Sequence, residues 1–142
     1  METALTYDDV LLLPQYSDIR SRTEVDISSY MGNGLKLELP IFASPMDTIS
    51  EEIMATAISS EGGSAIIHRY NTPHEQAEHI RRAKISGAQR IGFAIGVDGN
   101  FLKRANLCHN LGADFVCVDV AHGHHAKVRE ALAILRQELP PD

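Results

Sequence analysis

The sequence predicts an α/β protein with a parallel sheet, and two observations carry that prediction. Short runs rich in apolar residues recur at Ile41–Ser44, Ser64–Ile67, Ile91–Ile95 and Phe115–Val118. Each run gives way to a polar loop and then to apolar residues three and four apart, the spacing of one helix face. The strand starts lie 23, 27 and 24 residues apart, which is room for one strand, one loop and one helix per unit. Such alternation is the pattern of parallel sheets, whose strands need a helical crossover to return in the same direction. Phe115-Val-Cys-Val118 is apolar throughout, so it reads as a strand buried on both faces.

Before the first unit, Leu5-Thr-Tyr-Asp-Asp-Val-Leu-Leu-Leu-Pro14 is too short for an independent helix and ends at a proline; it reads as a segment packed across one end of the domain. Ser21–Ile27 and Leu35–Leu39 alternate polar and apolar residues around the turn signal Gly32-Asn33-Gly34, which predicts a hairpin. Helix one spans about 51–61, with Ser50 as its cap, Glu51 and Glu52 at the positive end of its dipole, and Ile53, Ala57 and Ile58 toward the sheet. Helix two opens on Thr72, Pro73 and Glu75, the residues of a capping box with proline at the first position. Its Ala77 and Ile80 face inward, and Gly87 closes the turn after it. Helix three runs from near Asp98 to Gly112 with Phe101, Ala105 and Leu111 inward. Helix four runs from about 125 to 138, with Val128, Ala131, Leu132 and Leu135 on one stripe.

The 142 residues, 44% hydrophobic and 23% charged, form one domain by length, residues 1–142. A formal net charge of -6, with no run of Lys or Arg, argues against a nucleic-acid surface. No apolar stretch approaches the roughly 20 residues of a membrane span, and Met1-Glu-Thr-Ala shows no secretory signal. Cys108 and Cys117 fall on a predicted helix and strand and read as reduced core thiols of a cytoplasmic protein.

The titratable groups gather where the strands end, the edge at which parallel α/β folds bind ligands. Asp119 reads either as an acceptor for a ribose diol or as a turn aspartate. His122, His124 and His125 read as ligand-supporting, solvated or, least consistently with their spacing, metal-binding residues. In Ser44-Pro-Met-Asp-Thr48, Ser44 suits a phosphate or sugar hydroxyl and Met46 a flat ring, against a plain loop as the alternative. Arg69, beside His68, and Arg22 are candidate phosphate-binding cations or solvated surface residues. No Gly-x-Gly-x-x-Gly, Gly-Lys-Ser/Thr or Gly-x-Ser-x-Gly motif is present.

Together these stretches resemble the IMP dehydrogenase/GMP reductase family. The matching pieces are Leu5–Pro14, Ser21-Arg-Thr-Glu-Val-Asp26, Ser44-Pro-Met-Asp-Thr48, Glu61-Gly-Gly63 with Ile66-Ile-His68, and Val118-Asp-Val-Ala-His-Gly-His124. The resemblance implies a TIM (β/α)8 barrel, of which this chain covers about the first four βα units, with no CBS insert at Gly87. It also implies tetramers, a purine nucleoside monophosphate and a nicotinamide cofactor, with a monovalent cation held by the later half of the barrel. Position by position, Ser44 and Met46 resemble nucleotide-contacting residues. His68, Arg69, Asp119, Val120 and Ala121 resemble cofactor-side residues, and Ser21-Arg22 resembles a pair that reaches the cofactor of a neighbouring subunit.

Both activities of the family work at C2 of the purine. Ser21-Arg22 and Arg69 resemble the reductase, which converts GMP to IMP and ammonia with NADPH, a cofactor whose 2′-phosphate needs cations. Ser44–Thr48 and Glu61-Gly-Gly63 look more like IMP dehydrogenase, which oxidises IMP to XMP with NAD. The balance leans narrowly to the reductase. Neither Cys108 nor Cys117 stands in the family's Gly-x-Gly-Ser-x-Cys-x-Thr setting, so the nucleophile is expected downstream and no catalytic residue within this chain. The expectation is therefore the amino-terminal half of a longer enzyme, inactive alone. The alternative is a non-catalytic half-barrel that pairs through its open edges as a binding or assembly module.

Overall fold

The computed structural model describes residues 2–139. A two-stranded antiparallel hairpin, β1 (Ser29–Tyr30) and β2 (Lys36–Leu37), precedes a four-stranded parallel sheet. The sheet comprises β3 (Phe42–Ala43), β4 (Ser64–Ile67), β5 (Ile91–Ile95) and β6 (Phe115–Val118), side by side in sequence order. Helices α1 (Glu52–Ser60), α2 (Pro73–Ile85) and α3 (Phe101–Asn110) connect them, and α4 (Ala126–Glu138) follows β6. All four strands therefore point the same way, as the alternating pattern predicts.

The register sorts the strand residues onto two faces. Ala43, Ala65, Ile67, Ile91, Phe93, Ile95, Val116 and Val118 pack into the helix-covered core with Ala55, Ala77, Ile80, Ala83, Ala105 and Cys108. Phe42, Ser64, Gly92, Phe115 and Cys117 share the other face. Across that face the Phe42 and Phe115 rings meet edge to face at 5.7 Å, although their strands are three ladder steps apart, about 14 Å in a flat sheet. Gly92 permits it: a Cβ there would stand 2.1 Å from the Phe115 ring. At the amino-terminal edge, Asp114 accepts hydrogen bonds from the Ile91 N–H (2.7 Å) and from Lys84 (2.6 Å), pinning β5, β6 and α2 together.

Helix α2 starts as its sequence dictates, with Thr72 accepting from the Glu75 N–H and Glu75 from the Thr72 N–H. Several expectations are corrected. Phe115–Val118 is half-buried rather than buried on both faces, because β6 is an edge strand and its helix-free face is open. Residues 21–27 form no strand. Arg22–Glu24 is a 3-10 turn in which Ser21 accepts from the Thr23 N–H and Glu24 from the Arg20 N–H, local bonds that compete with a ladder. The hairpin is formed instead by residues 29–30 and 36–37.

Leu5–Pro14 does not pack across the domain: Tyr7, Leu11 and Leu12 are each more than nine-tenths exposed, since no surface among the described residues receives them. Helix α1 turns a partly different face inward: Ile58 packs against the core as expected, but Ile53 and Ala57 are exposed. Ala55 and Ser59 are buried while Ile53 is 80% exposed, because Ser59 accepts the Gln89 N–H at 2.8 Å and the small side chains allow a close approach to β4. Ser50 is not the cap, a position held by Glu51; Ser50 is buried and bonded elsewhere. Leu111 lies at the C-cap of α3 and Leu132 is partly exposed on α4, both off the buried stripes.

Candidate functional site at the carboxyl ends of the strands

Ser44, His68 and Asp119 each follow the last residue of a parallel strand, so they share one rim of the sheet. The loop after β3 is folded on itself: the Met46 N–H donates to the Ser44 carbonyl (2.8 Å) and the Ser50 N–H to the Met46 carbonyl (3.0 Å). The buried Ser50 hydroxyl donates to the Ser44 carbonyl, and the Ser50 carbonyl accepts the His68 N–H at 3.3 Å. One serine thus ties the loop to the end of β4.

His68 is only 2% exposed. Its Nδ1 accepts the Tyr70 N–H (3.2 Å), which places the proton of a neutral ring on Nε2, 3.1 Å from Glu51 Oε1. Both nitrogens are used within the chain, so His68 shapes the rim from beneath. Arg69 lies over it. Its Nε donates to Asp119 Oδ2 at 3.1 Å, spanning from β4 to β6, while the Asp119 N–H donates to the Ile95 carbonyl at 2.9 Å. Between them comes Gly96, at the end of β5, where a Cβ would stand 3.4 Å from Arg69 Nη1. The guanidinium therefore lies across three strand ends, with about a third of each partner's side chain exposed.

Behind the rim stands a polar network that the sequence reading did not single out. The fully buried Gln76 donates to the carbonyls of Ile67 (3.0 Å) and Ala94 (2.8 Å), clamping β4 to β5 just below their ends. Its Oε1 accepts from Arg104 Nη1 at 2.9 Å, and Arg104 also donates to the Asn71 side chain and carbonyl. Burial pulls the Arg104 guanidinium below its ordinary value, and the charge of Arg69 adds to the effect. Asn71 Nδ2 is buried without an acceptor, so two guanidiniums and a spare amide make this corner rich in donors. The signal for Gln76 was its place on the buried stripe of α2 with Ala77, Ile80 and Ala83.

The other candidates fall around this centre. Met46 is about half exposed on the β3 loop; Val120 is half-buried and Ala121 exposed, directly after Asp119. Ser21 and Arg22 lie on the exposed amino-terminal segment, with no described hydrogen bond to the rim. His122, His124 and His125 are exposed; His125 caps α4, accepting the Lys127 N–H at 3.1 Å, and the three do not form a group with metal-ligand spacing. A groove along α4, lined by His124, His125, Arg129 and Arg136, lies on the flank rather than over the strand ends. Cys108 and Cys117 are free thiols. Burial pushes Cys108 up to about 12 and raises Cys117, which Asp119 raises further, so neither is a ready thiolate at neutral pH. Among the described residues no helix is long and apolar enough to cross a membrane.

Relatives share this chain's sequence over part of their length. It is 42% identical to inosine-5'-monophosphate dehydrogenase of Nitrosopumilus maritimus over 61% of this chain and 18% of that protein. It is 45% identical to GMP reductase of Leishmania donovani over 56% of this chain and 16% of that protein. Inosine-5'-monophosphate dehydrogenase of Cryptosporidium parvum is 27% identical over 97% of this chain and 44% of its own length. The chain thus spans less than half the length of each of these relatives. A family model described as the IMP dehydrogenase / GMP reductase domain matches residues 4–141, and the chain belongs to that family.

Proposed function

We propose that this chain supplies part of the ligand rim of a nicotinamide-dependent oxidoreductase acting at C2 of a purine nucleoside monophosphate. The four βα units make up the first half of a TIM barrel that works as a tetramer in the cytoplasm. The observation that carries the reading is the Arg69–Asp119 pair laid across three strand ends. A carboxylate held beside an arginine suits a ribose diol, and the arginine suits a phosphate. The corner formed by Arg69, Arg104 and the spare Asn71 amide fits an anionic dinucleotide. The cofactor supplies the hydride chemistry. The residues here bind and orient: Asp119 accepts from the ribose, Val120 and Ala121 line the approach, and Ser44 and Met46 meet the mononucleotide. Ser21 and Arg22 serve a neighbouring subunit, where their exposure leaves them free to reach.

The reductase reading, GMP with NADPH giving IMP and ammonia, is favoured by the donors at this corner, because NADPH carries one more phosphate than NAD. IMP dehydrogenase, turning IMP to XMP with NAD, is the alternative, and relatives of both names match this chain.

Titration of the chain with NADPH and with NAD, by calorimetry, tests the reading. NADPH should bind more tightly, and Arg69→Ala should weaken it roughly ten- to a hundredfold, the loss of one charge-assisted hydrogen bond. Tighter binding of NAD would favour the dehydrogenase. Binding of neither dinucleotide would remove the rim from the cofactor site.

A further inference from the structure

Outside the strand-end rim, where α1 packs against α2, three side chains converge that the functional reading leaves unused. We propose that Glu51, Glu52 and His79 form a binding site for one divalent transition-metal ion of the zinc class, with His68 holding Glu51 in place from behind. One donor atom from each of the three lies within 4.8 Å of the other two. In a tetrahedral zinc site, donors at about 2.1 Å from the ion lie about 3.4 Å apart, so side-chain rotation of about 1.4 Å closes the set.

The geometry is set by regular structure rather than by a loose loop. Glu51 is the N-cap residue of α1 and Glu52 its first helical residue, while His79 comes from the body of α2. His79 sits between the two carboxylates: Nδ1 contacts Glu52 Oε2, and Nε2 lies 3.9 Å from Glu51 Oε1. The side chains are 19%, 24% and 36% exposed for His79, Glu52 and Glu51, which shields the donors and leaves an approach from solvent.

Charge and hydrogen bonding point the same way. Asp47 is 3.8 Å from His68 Nε2, so three carboxylates surround this corner, and the nearby permanent cation is Arg82, 3.6 Å from Glu52 Oε1. His68 accepts the Tyr70 N–H at Nδ1 and turns Nε2 to Glu51 Oε1 at 3.1 Å, so its ring fixes the orientation of Glu51. Glu51 Oε2 has no hydrogen-bond partner among the described residues. An imidazole with two carboxylates is the mixed donor set that selects a transition ion over magnesium or calcium, which prefer all-oxygen shells. Three protein donors leave a fourth position open to water. The competing occupant is a proton: a charged His79 clamped between two glutamates, with no ion.

Cobalt(II) titration of the chelator-stripped chain separates the two. One equivalent of Co2+ should produce the visible absorption of a four-coordinate site, and Zn2+ should displace it. Glu52→Gln and His79→Gln should each weaken Co2+ binding more than about tenfold. The triple variant His122→Gln, His124→Gln, His125→Gln should bind as the parent does. Absence of the band in the parent chain overturns the proposal whatever the variants do, so a variant that fails to fold does not shelter it. A band retained in both Glu52→Gln and His79→Gln, or lost with the loop histidines, overturns it as well.

Discussion

Replacing Gln76 with methionine keeps the length and volume of the side chain and removes its polar atoms. In the native chain the buried amide donates to the Ile67 and Ala94 carbonyls and accepts from Arg104. Two neutral hydrogen bonds contribute about 1 kcal/mol each and one to a guanidinium about 2, so about 4 kcal/mol is the ceiling. Arg104 keeps its bonds to Asn71, which offsets part of that loss and brings the expectation to about 3 kcal/mol. Urea unfolding followed by far-UV circular dichroism measures it, with an unchanged slope showing that the surface exposed on unfolding is the same. Gln76→Glu refines the test, because its carboxylate still pairs with Arg104 but faces two carbonyl oxygens with no proton to offer. It should lose about 2 kcal/mol. A loss below about 1 kcal/mol for Gln76→Met, or none for Gln76→Glu, would refute the idea that this amide clamps β4 to β5.

Two further outcomes follow from packing and burial. Gly92→Ala forces the Phe115 ring off the sheet and should cost about 1–3 kcal/mol in urea unfolding; in a Phe115→Ala background the same change should cost much less, and equal costs in both backgrounds would refute the contact. The buried Cys108 thiol keeps its proton up to about 12, against an ordinary value of 9.0 in the unfolded chain. The native state therefore holds more protons above pH 9, so stability is fully present below that pH and falls as pH rises toward 12. A Cys117→Ala background isolates the effect, and Cys108→Ala should flatten the slope. Iodoacetamide should label Cys108 in urea but not in the native chain at neutral pH.

The repeating βα units and the shared rim were legible because both rest on order along the chain: an apolar run, then polar residues, then helical spacing. The capping box of α2 was legible because Thr72 and Glu75 bond to each other's backbone over three residues. Contacts across the sheet were not. Periodicity puts Ile53 and Ala57 inward, but tertiary bonds at Ser50 and Ser59 set the rotation of α1 and leave Ile53 in solvent. A histidine after a strand reads as a ligand-facing group, yet His68 is turned under by Glu51 and Tyr70, partners 17 residues before it and two after. Gln76 reads as a surface residue by type; its place on the stripe of Ala77, Ile80 and Ala83 marks it as buried, but the strand carbonyls it bonds lie far along the chain. Apolar content made Leu5–Pro14 look packed, but hydrophobicity names no partner, and among the described residues there is none.

The span of Arg69 sets up an exchange at the rim. Any hydroxyl that takes Asp119 Oδ2 does so in rivalry with the guanidinium already bonded there. An occupant of the β6 end that wins this contest unhooks Arg69, which then stands over Gly96 with an idle donor fork at the end of β5. Displacement at Asp119 would thereby ready a positive charge at the end of the neighbouring strand, and a single arginine passes the news between loops that share no backbone.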